Sequence, residues 1–257
     1  MAAKTLPLVE RLLHRGAMRR WARAARKASQ LELVELRRLR ASARSLRTHL
    51  DGLIHIADER LALPAIGSTS FPKPQDADWS WRPELWRGRL PVLGMSSVQT
   101  KSMLGKEITL FHDCEYSELS LRQLRNVREE DLAPYGLRMD VFRFEGSFLS
   151  LVLDLPSDVV AGLKKTHLIR LEAIVEMEKP IEIFSRLNVR HGPNTEQIVR
   201  ELPPGGGKVM VEFDLAYSKL NEKRSEAAWV DLIFEGPEMN QVTLRDLTFS
   251  RRPRAEL

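Results

Sequence analysis

One cysteine, Cys114, stands in 257 residues, so no intramolecular disulfide can brace the chain. A lone thiol suits a reducing compartment. Long apolar runs are missing too: nothing approaches the roughly 18–20 residues that a spanning helix needs. The six histidines include no His-x3-His pair, and with one cysteine they offer no metal-ligand spacing. Secretory features are absent, because the apolar stretch Leu6–Val9 is broken at once by Glu10 and Arg11. The Arg-rich, acid-poor start resembles an organellar transit peptide, but the helical pattern runs on past any cleavage point.

What is present is an uneven charge. Residues 1–50 carry 13 Lys/Arg against three acids, a net of +10, while the rest carries a net of −5. A basic arm on a mildly acidic body points to an anionic contact, which includes the protein's own body.

From Ala3 to Leu61 only Pro7, Gly16 and Gly52 interrupt a stretch of strong helix formers. Leu6, Leu13, Ala17, Trp21, Ala24, Ala28 and Leu31 fall on one helical face. Arg11, Arg15, Arg19, Arg23 and Lys27 run along another at spacings of four. Leu36, Leu39, Ala43, Leu46, Leu50, Leu53 and Ala57 then alternate steps of three and four, a thin heptad seam. The seam predicts either a coiled coil, hence a homo-oligomer, or packing against a neighbouring element. The Arg stripe fits three settings: a solvated face docked on the acidic body, an anionic membrane surface with Trp21 dipping in, or nucleic-acid phosphates. Nucleic acid ranks last, since no recognition motif accompanies the charge.

Five prolines and Gly67 between residues 62 and 95 make the next segment a linker or an extended wrap. It holds Trp79, Trp81 and Trp86 within eight residues. From Glu107 the apolar period falls to about two. Ten strands are expected: 107–114, 119–124, 137–144, 148–155, 167–176, 181–189, 197–202, 208–217, 227–234 and 241–250. A short helix is expected over 157–165. Short strands without alternating helices favour an antiparallel sandwich. The expected fold is therefore mainly β, a jelly-roll-like antiparallel β-sandwich with an N-terminal basic α-helical arm. The divisions are 1–61 (arm), 62–106 (linker or wrap) and 107–257 (sandwich).

No motif carries catalysis. His112, Asp113 and Cys114 are adjacent, but i and i+2 on a strand stand about 7 Å apart, too far for a nucleophile and its base. Gly205–Lys208 lacks the Ser/Thr and the helix of a phosphate-binding loop, and reads as a hairpin turn. Asp140, Asp154, Asp214, Asp231 and Asp246 fit solvent faces and strand ends better than a calcium site. No metal and no cofactor are expected. Two constellations suit binding. Arg186, Asn188, Arg190, His191 and Asn194 gather polar groups at a loop, where rigid sandwiches carry binding residues. Trp79, Trp81 and Trp86 offer a platform for sugar rings, or else staple the wrap to the sheet.

Three stretches taken together resemble an uncharacterised domain-of-unknown-function family of alphaproteobacteria. They are RMDVFRFEGSFLSLVLDLP at 138–156, RLNVRHGPNTEQ at 186–197, and FEGPEMNQ at 234–241 running on to SRRPRAEL at 250–257. The resemblance covers roughly residues 75–257 and implies a bacterial, cytoplasmic protein with no catalytic residue to carry over. The ending VTLRDLTF at 242–249 is similar in style to galactose-binding-like and jelly-roll carbohydrate modules. The expected function is a non-enzymatic binding module for a glycan or protein partner. Its arm would serve oligomerisation or attachment to an anionic surface, giving a cytoplasmic, membrane-peripheral protein. The alternatives are a scaffold with no small ligand and a carboxylate-dependent hydrolase.

Overall fold

The computed structural model describes residues 8–65, 71–128 and 130–254. The chain divides into two compact units, Met1–Ile54 and His55–Leu257.

The first unit holds α1 (Leu8–Lys27) and the greater part of α2 (Leu33–Ala65), separated by a short 3-10 turn and an extended Leu31. Of the expected apolar face, Trp21, Ala24, Ala28 and Leu31 are half-buried and Ala17 is exposed, while the side chains of Leu6 and Leu13 lie outside the described residues. Along the heptad seam Leu36, Leu39 and Ala43 are half-buried, whereas Leu46, Leu50 and Leu53 are exposed. No helix among the described residues is long and apolar enough to cross a membrane.

The second unit is two antiparallel sheets. Its strands are β1 (Trp79–Trp81), β2 (Gly94–Ser96), β3 (Ser102–Leu104), β4 (Ile108–His112), β5 (Glu118–Arg125), β6 (Tyr135–Arg143) and β7 (Leu149–Asp154). They continue as β8 (His167–Met177), β9 (Ile183–His191), β10 (Asn194–Glu201), β11 (Gly207–Asp214), β12 (Ser225–Phe234) and β13 (Asn240–Pro253). One sheet runs β11-β8-β13-β6-β5-β2, with β1 also paired to β13; the other runs β10-β9-β12-β7-β4-β3. All ten expected strands are present within a few residues of their expected ends. The expected helix over 157–165 shrinks to a 3-10 turn at Ser157–Val159.

Alternation in β8, β9 and β12 sends Leu171, Val175, Leu187, Val189, Val230 and Leu232 inward to a shared core. β13 keeps its apolar face inward by a bulge at Arg245, so Leu244 and Leu247, three apart, are both buried.

From Phe71 on, the Pro-rich segment is fixed to the sandwich at several points. Arg82 gives Asp246 two hydrogen bonds, at 2.9 and 2.7 Å. Arg251 does the same for Asp78 from the opposite direction, at 3.0 Å each. The short helix α3 (Glu84–Arg87) is held by Gln123, whose amide donates to Leu85 O and Gly88 O at 2.7 Å and accepts from Leu90 N. These partners satisfy polar groups that burial would otherwise leave bare.

Candidate functional site

Period-2 alternation on β9 decides which of its polar residues share a face. Arg186, Asn188 and Arg190 point outward, away from the core, and His191 points inward with Leu187 and Val189. On β12 the outward residues are Trp229, Asp231 and Ile233. Register then builds rows across the outer face. Asn188 lies opposite both Gln197 and Trp229, Arg186 lies opposite Asp231, Asp231 opposite Val152, and Ser150 lies between Ile233 and Phe111.

These rows enclose a hollow of about 540 Å³ lined by Phe111, Phe148, Ser150, Val152, Arg186, Asn188, Gln197, Trp229, Asp231 and Ile233. Its polar side is a fixed network. Arg186 Nε donates to Asp231 Oδ2 at 2.7 Å, and Nη2 of the same guanidinium lies 2.6 Å from that oxygen. Asn188 Nδ2 donates to Asp231 Oδ2 at 3.1 Å, and Gln197 Nε2 donates to Asn188 Oδ1 at 2.9 Å. Asp231 and Asn188 are buried, so their rotamers are set before any ligand arrives. The apolar side is Phe111, Val152, Trp229 and Ile233, all half-exposed. Ser150 Oγ is buried with no hydrogen-bond partner.

Phe148, at the rim, is held from outside the sheet. Asp113 accepts hydrogen bonds from Ser147 N at 2.7 Å, from Ser147 Oγ, and from Phe148 N at 3.3 Å. The Ser147 hydroxyl, ahead of the backbone amides, holds the Asp113 carboxyl below the usual carboxylate range.

The expected site residues part company. Arg186 and Asn188 line the hollow, and Arg190 stands further along the same face, ion-paired to Glu226 at 3.2 Å. Asn194 is exposed at the β9–β10 hairpin, where Gly192 takes a φ of 59° that a side chain would resist. His191 is buried on the core side, 3.8 Å from Glu196, and its inward phase removes it from the outer face.

The three tryptophans lie against the other sheet, Trp79 and Trp81 in β1 and Trp86 in α3. Trp86 is fully buried and donates to Leu244 O at 2.9 Å; Trp79 is buried beside β13; Trp81 is half-buried, its ring 5.8 Å from that of Phe249. The sugar platform expected of them is corrected here: Trp79 and Trp86 present no open ring face, because they staple the wrap. Trp229, which sequence reasoning passed over, is the indole in the hollow. Its signal was its phase, between the inward Ala228 and Val230.

Of the basic stripe, Arg15, Arg19, Arg23 and Lys27 are exposed, while the side chain of Arg11 lies outside the described residues. Among the described residues no three His, Cys, Asp or Glu gather as a metal site. Asp231 is the single carboxylate in the lining of the hollow. Asp154, opposite Trp229, shares the face, and burial pushes its carboxyl up.

A family model described as a family of unknown function matches residues 1–257. No curated protein matches in sequence. Among solved structures, the sandwich is similar to the family 11 carbohydrate-binding module of Clostridium thermocellum, in complex with a beta-1,3-1,4-mixed-linked tetrasaccharide. Identity is 11%, coverage 65% of this chain and 99% of the module, and TM-score 0.40. TmCBM61 in complex with beta-1,4-galactotriose is similar at 14% identity, over 57% of this chain and 88% of that one, with TM-score 0.34. The enzymatically active domain of bacteriophage CBA120 tailspike protein 4 is similar at 7% identity and TM-score 0.39, over 55% of this chain. The match spans 19% of that tailspike chain. Likenesses this distant carry no residue across to the site.

Proposed function

We propose that the chain, which belongs to the family of unknown function DUF6478, is a non-enzymatic glycan-binding module whose site is the outer face of its six-stranded sheet. The observation that carries this reading is Trp229, half-exposed on that face and flanked by the network of Arg186, Asp231, Asn188 and Gln197. A sugar ring has an apolar face for an indole and a rim of hydroxyls for fixed amide and guanidinium groups. Solvent gives a sheet no reason to keep a tryptophan and two phenylalanines around one preset polar cluster.

Titrating the full chain with a panel of oligosaccharides, followed by tryptophan fluorescence, tests the site. A saturable shift is expected, and Trp229→Ala should weaken binding at least tenfold with the fold intact. A ligand that binds unchanged to Trp229→Ala would place the site elsewhere.

The arm has a separate role in this reading, attachment to an anionic surface, supported by the exposed Arg15, Arg19, Arg23 and Lys27. Sedimentation with anionic but not zwitterionic vesicles, lost when these four become Gln, is the expected result. Equal sedimentation of the variant would sink it. A cytoplasmic, membrane-peripheral location goes with this role.

A further inference from the structure

The charge balance of the hollow narrows the glycan class, provided the glycan-binding reading above holds. Arg186 and Asp231 are the charged residues in its lining, and they face each other at 2.6 Å. Their charges cancel. Two donors of the guanidinium are already directed at Asp231, and Asp231 also accepts from Asn188. The next charges along this face do not alter the balance in favour of anions. Arg190 is paired with Glu226 at 3.2 Å, and opposite Trp229, on β7, stands another acid, Asp154. A carboxylate or sulfate entering the hollow would lose its water beside Asp231 and find the charge of its one nearby guanidinium already balanced.

Among the buried polar side-chain atoms of the lining, Ser150 Oγ is without a partner. A hydroxyl both donates and accepts, so a neutral sugar hydroxyl satisfies it either way. The lining runs from Gln197 on β10 to Phe111 on β4, which is five adjacent strands. Four interstrand steps of about 4.8 Å make roughly 19 Å, room for several pyranose rings in file.

We propose that the hollow selects an uncharged oligosaccharide chain laid across the strands, with one sugar hydroxyl on Ser150, and discriminates against uronate-containing and sulfated glycans. The test is calorimetric titration of the full chain with chemically matched pairs. Galacto-oligosaccharides are compared with oligogalacturonides, and manno-oligosaccharides with oligomannuronates. In any pair that binds, the neutral member should bind at least tenfold tighter. Asp231→Asn, which leaves the Arg186 charge uncompensated at constant shape, should narrow or reverse that ratio. An acidic member binding as tightly as its neutral twin to the wild-type chain overturns this inference and leaves the glycan reading standing. Failure of both members in every pair, with no response in the fluorescence panel as well, takes down both. The wild-type ratio decides the matter even where Asp231→Asn fails to fold.

Discussion

Replacing Asp246 with asparagine isolates what the ion pair at the wrap contributes. Arg82 and Asp246 have side chains 1% and 11% exposed and share two hydrogen bonds. The amide would keep the shape of the acceptor and remove its charge. The guanidinium, one of whose nitrogens (Nη1) already lacks a partner, would remain buried without a counterion. One-sided removal of a buried pair costs about 3–5 kcal/mol. The double variant Arg82→Met/Asp246→Leu removes both charges together. Its main loss is the acceptor for Leu247 N, which Asp246 Oδ1 supplies at 2.8 Å, roughly 1–3 kcal/mol. Apolar packing offsets part of that, so the double variant should be more stable than Asp246→Asn by about 2 kcal/mol. Urea denaturation read by tryptophan fluorescence compares wild type, Asp246→Asn and the double variant, with Trp79, Trp81 and Trp86 close to Arg82 in sequence. The pH dependence adds a second reading. Burial, opposed by the charge and hydrogen bonds of Arg82, pushes the Asp246 carboxyl above its ordinary value. The native state therefore holds this proton to higher pH than the unfolded chain does. The associated stability is fully present below the unfolded value of about 3.9 and is lost as pH rises through the raised native value. Asp246→Asn should abolish that component of the slope. A double variant no more stable than the single one would refute the reasoning, since the pair would then be stabilising beyond its burial cost.

Two further perturbations address the turn that carries Phe148. A methyl at Gly146 would meet Asp113 Oδ1 at 2.5 Å, Phe144 Cζ at 2.8 Å and Cys114 Cβ at 3.0 Å. Gly146→Ala should therefore cost about 1–3 kcal/mol by urea titration and weaken glycan binding by moving Phe148; an unchanged midpoint would show that the turn relaxes freely. Asp113 has its carboxyl held down, so its contribution is present above the unfolded value of about 3.9 and lost as pH falls through the lower native value. The protection factor of Phe148 N, its exchange rate taken against the intrinsic rate at the same pH, should fall in wild type only at acid pH, and be low in Asp113→Asn already at neutral pH. A wild-type protection factor that stays high below the native value would count against the clamp.

Period decided what was legible. Runs such as 167–176 and 227–234 declare a strand because their residues alternate over several positions, and they also declare which residues face out. β1, β2 and β3 have three residues each, too few to show a period, and they were not expected. The site was half legible for the same reason. Arg186 and Asn188 were found because they cluster with other polar residues, yet His191, close by in sequence, belongs to the opposite face. Trp229 was overlooked because a lone tryptophan in an apolar run reads as core, although its phase with Asp231 marks it as outward. The clustering of Trp79, Trp81 and Trp86 has a different cause. A Pro-rich wrap has no regular ladder of its own along most of its length, so large side chains and charge pairs must fix it to the sheet.

The two outer faces of the sandwich are built to different ends, and the difference bears on function. On the seven-stranded sheet, charges neutralise one another over a wide area. Arg170 meets Glu212 at 2.9 Å, Arg245 meets Glu176 at 3.0 Å, Arg138 meets Asp140 at 2.7 Å, and Arg252 reaches Glu212 and Asp76. Such a face needs no ligand: each of these groups has a partner, and the side chains are compatible with water. The six-stranded sheet has Phe111, Val152, Trp229 and Ile233 in the corresponding place, around one ion pair and one buried hydroxyl without a partner. Apolar surface left in water forgoes about 25 cal/mol per Å², and an unpaired buried hydroxyl costs about a further 1–3 kcal/mol. Folding alone would favour the charged solution on both faces. A face that keeps the less stable arrangement, with its polar groups already fixed in place, is what the proposed glycan site requires.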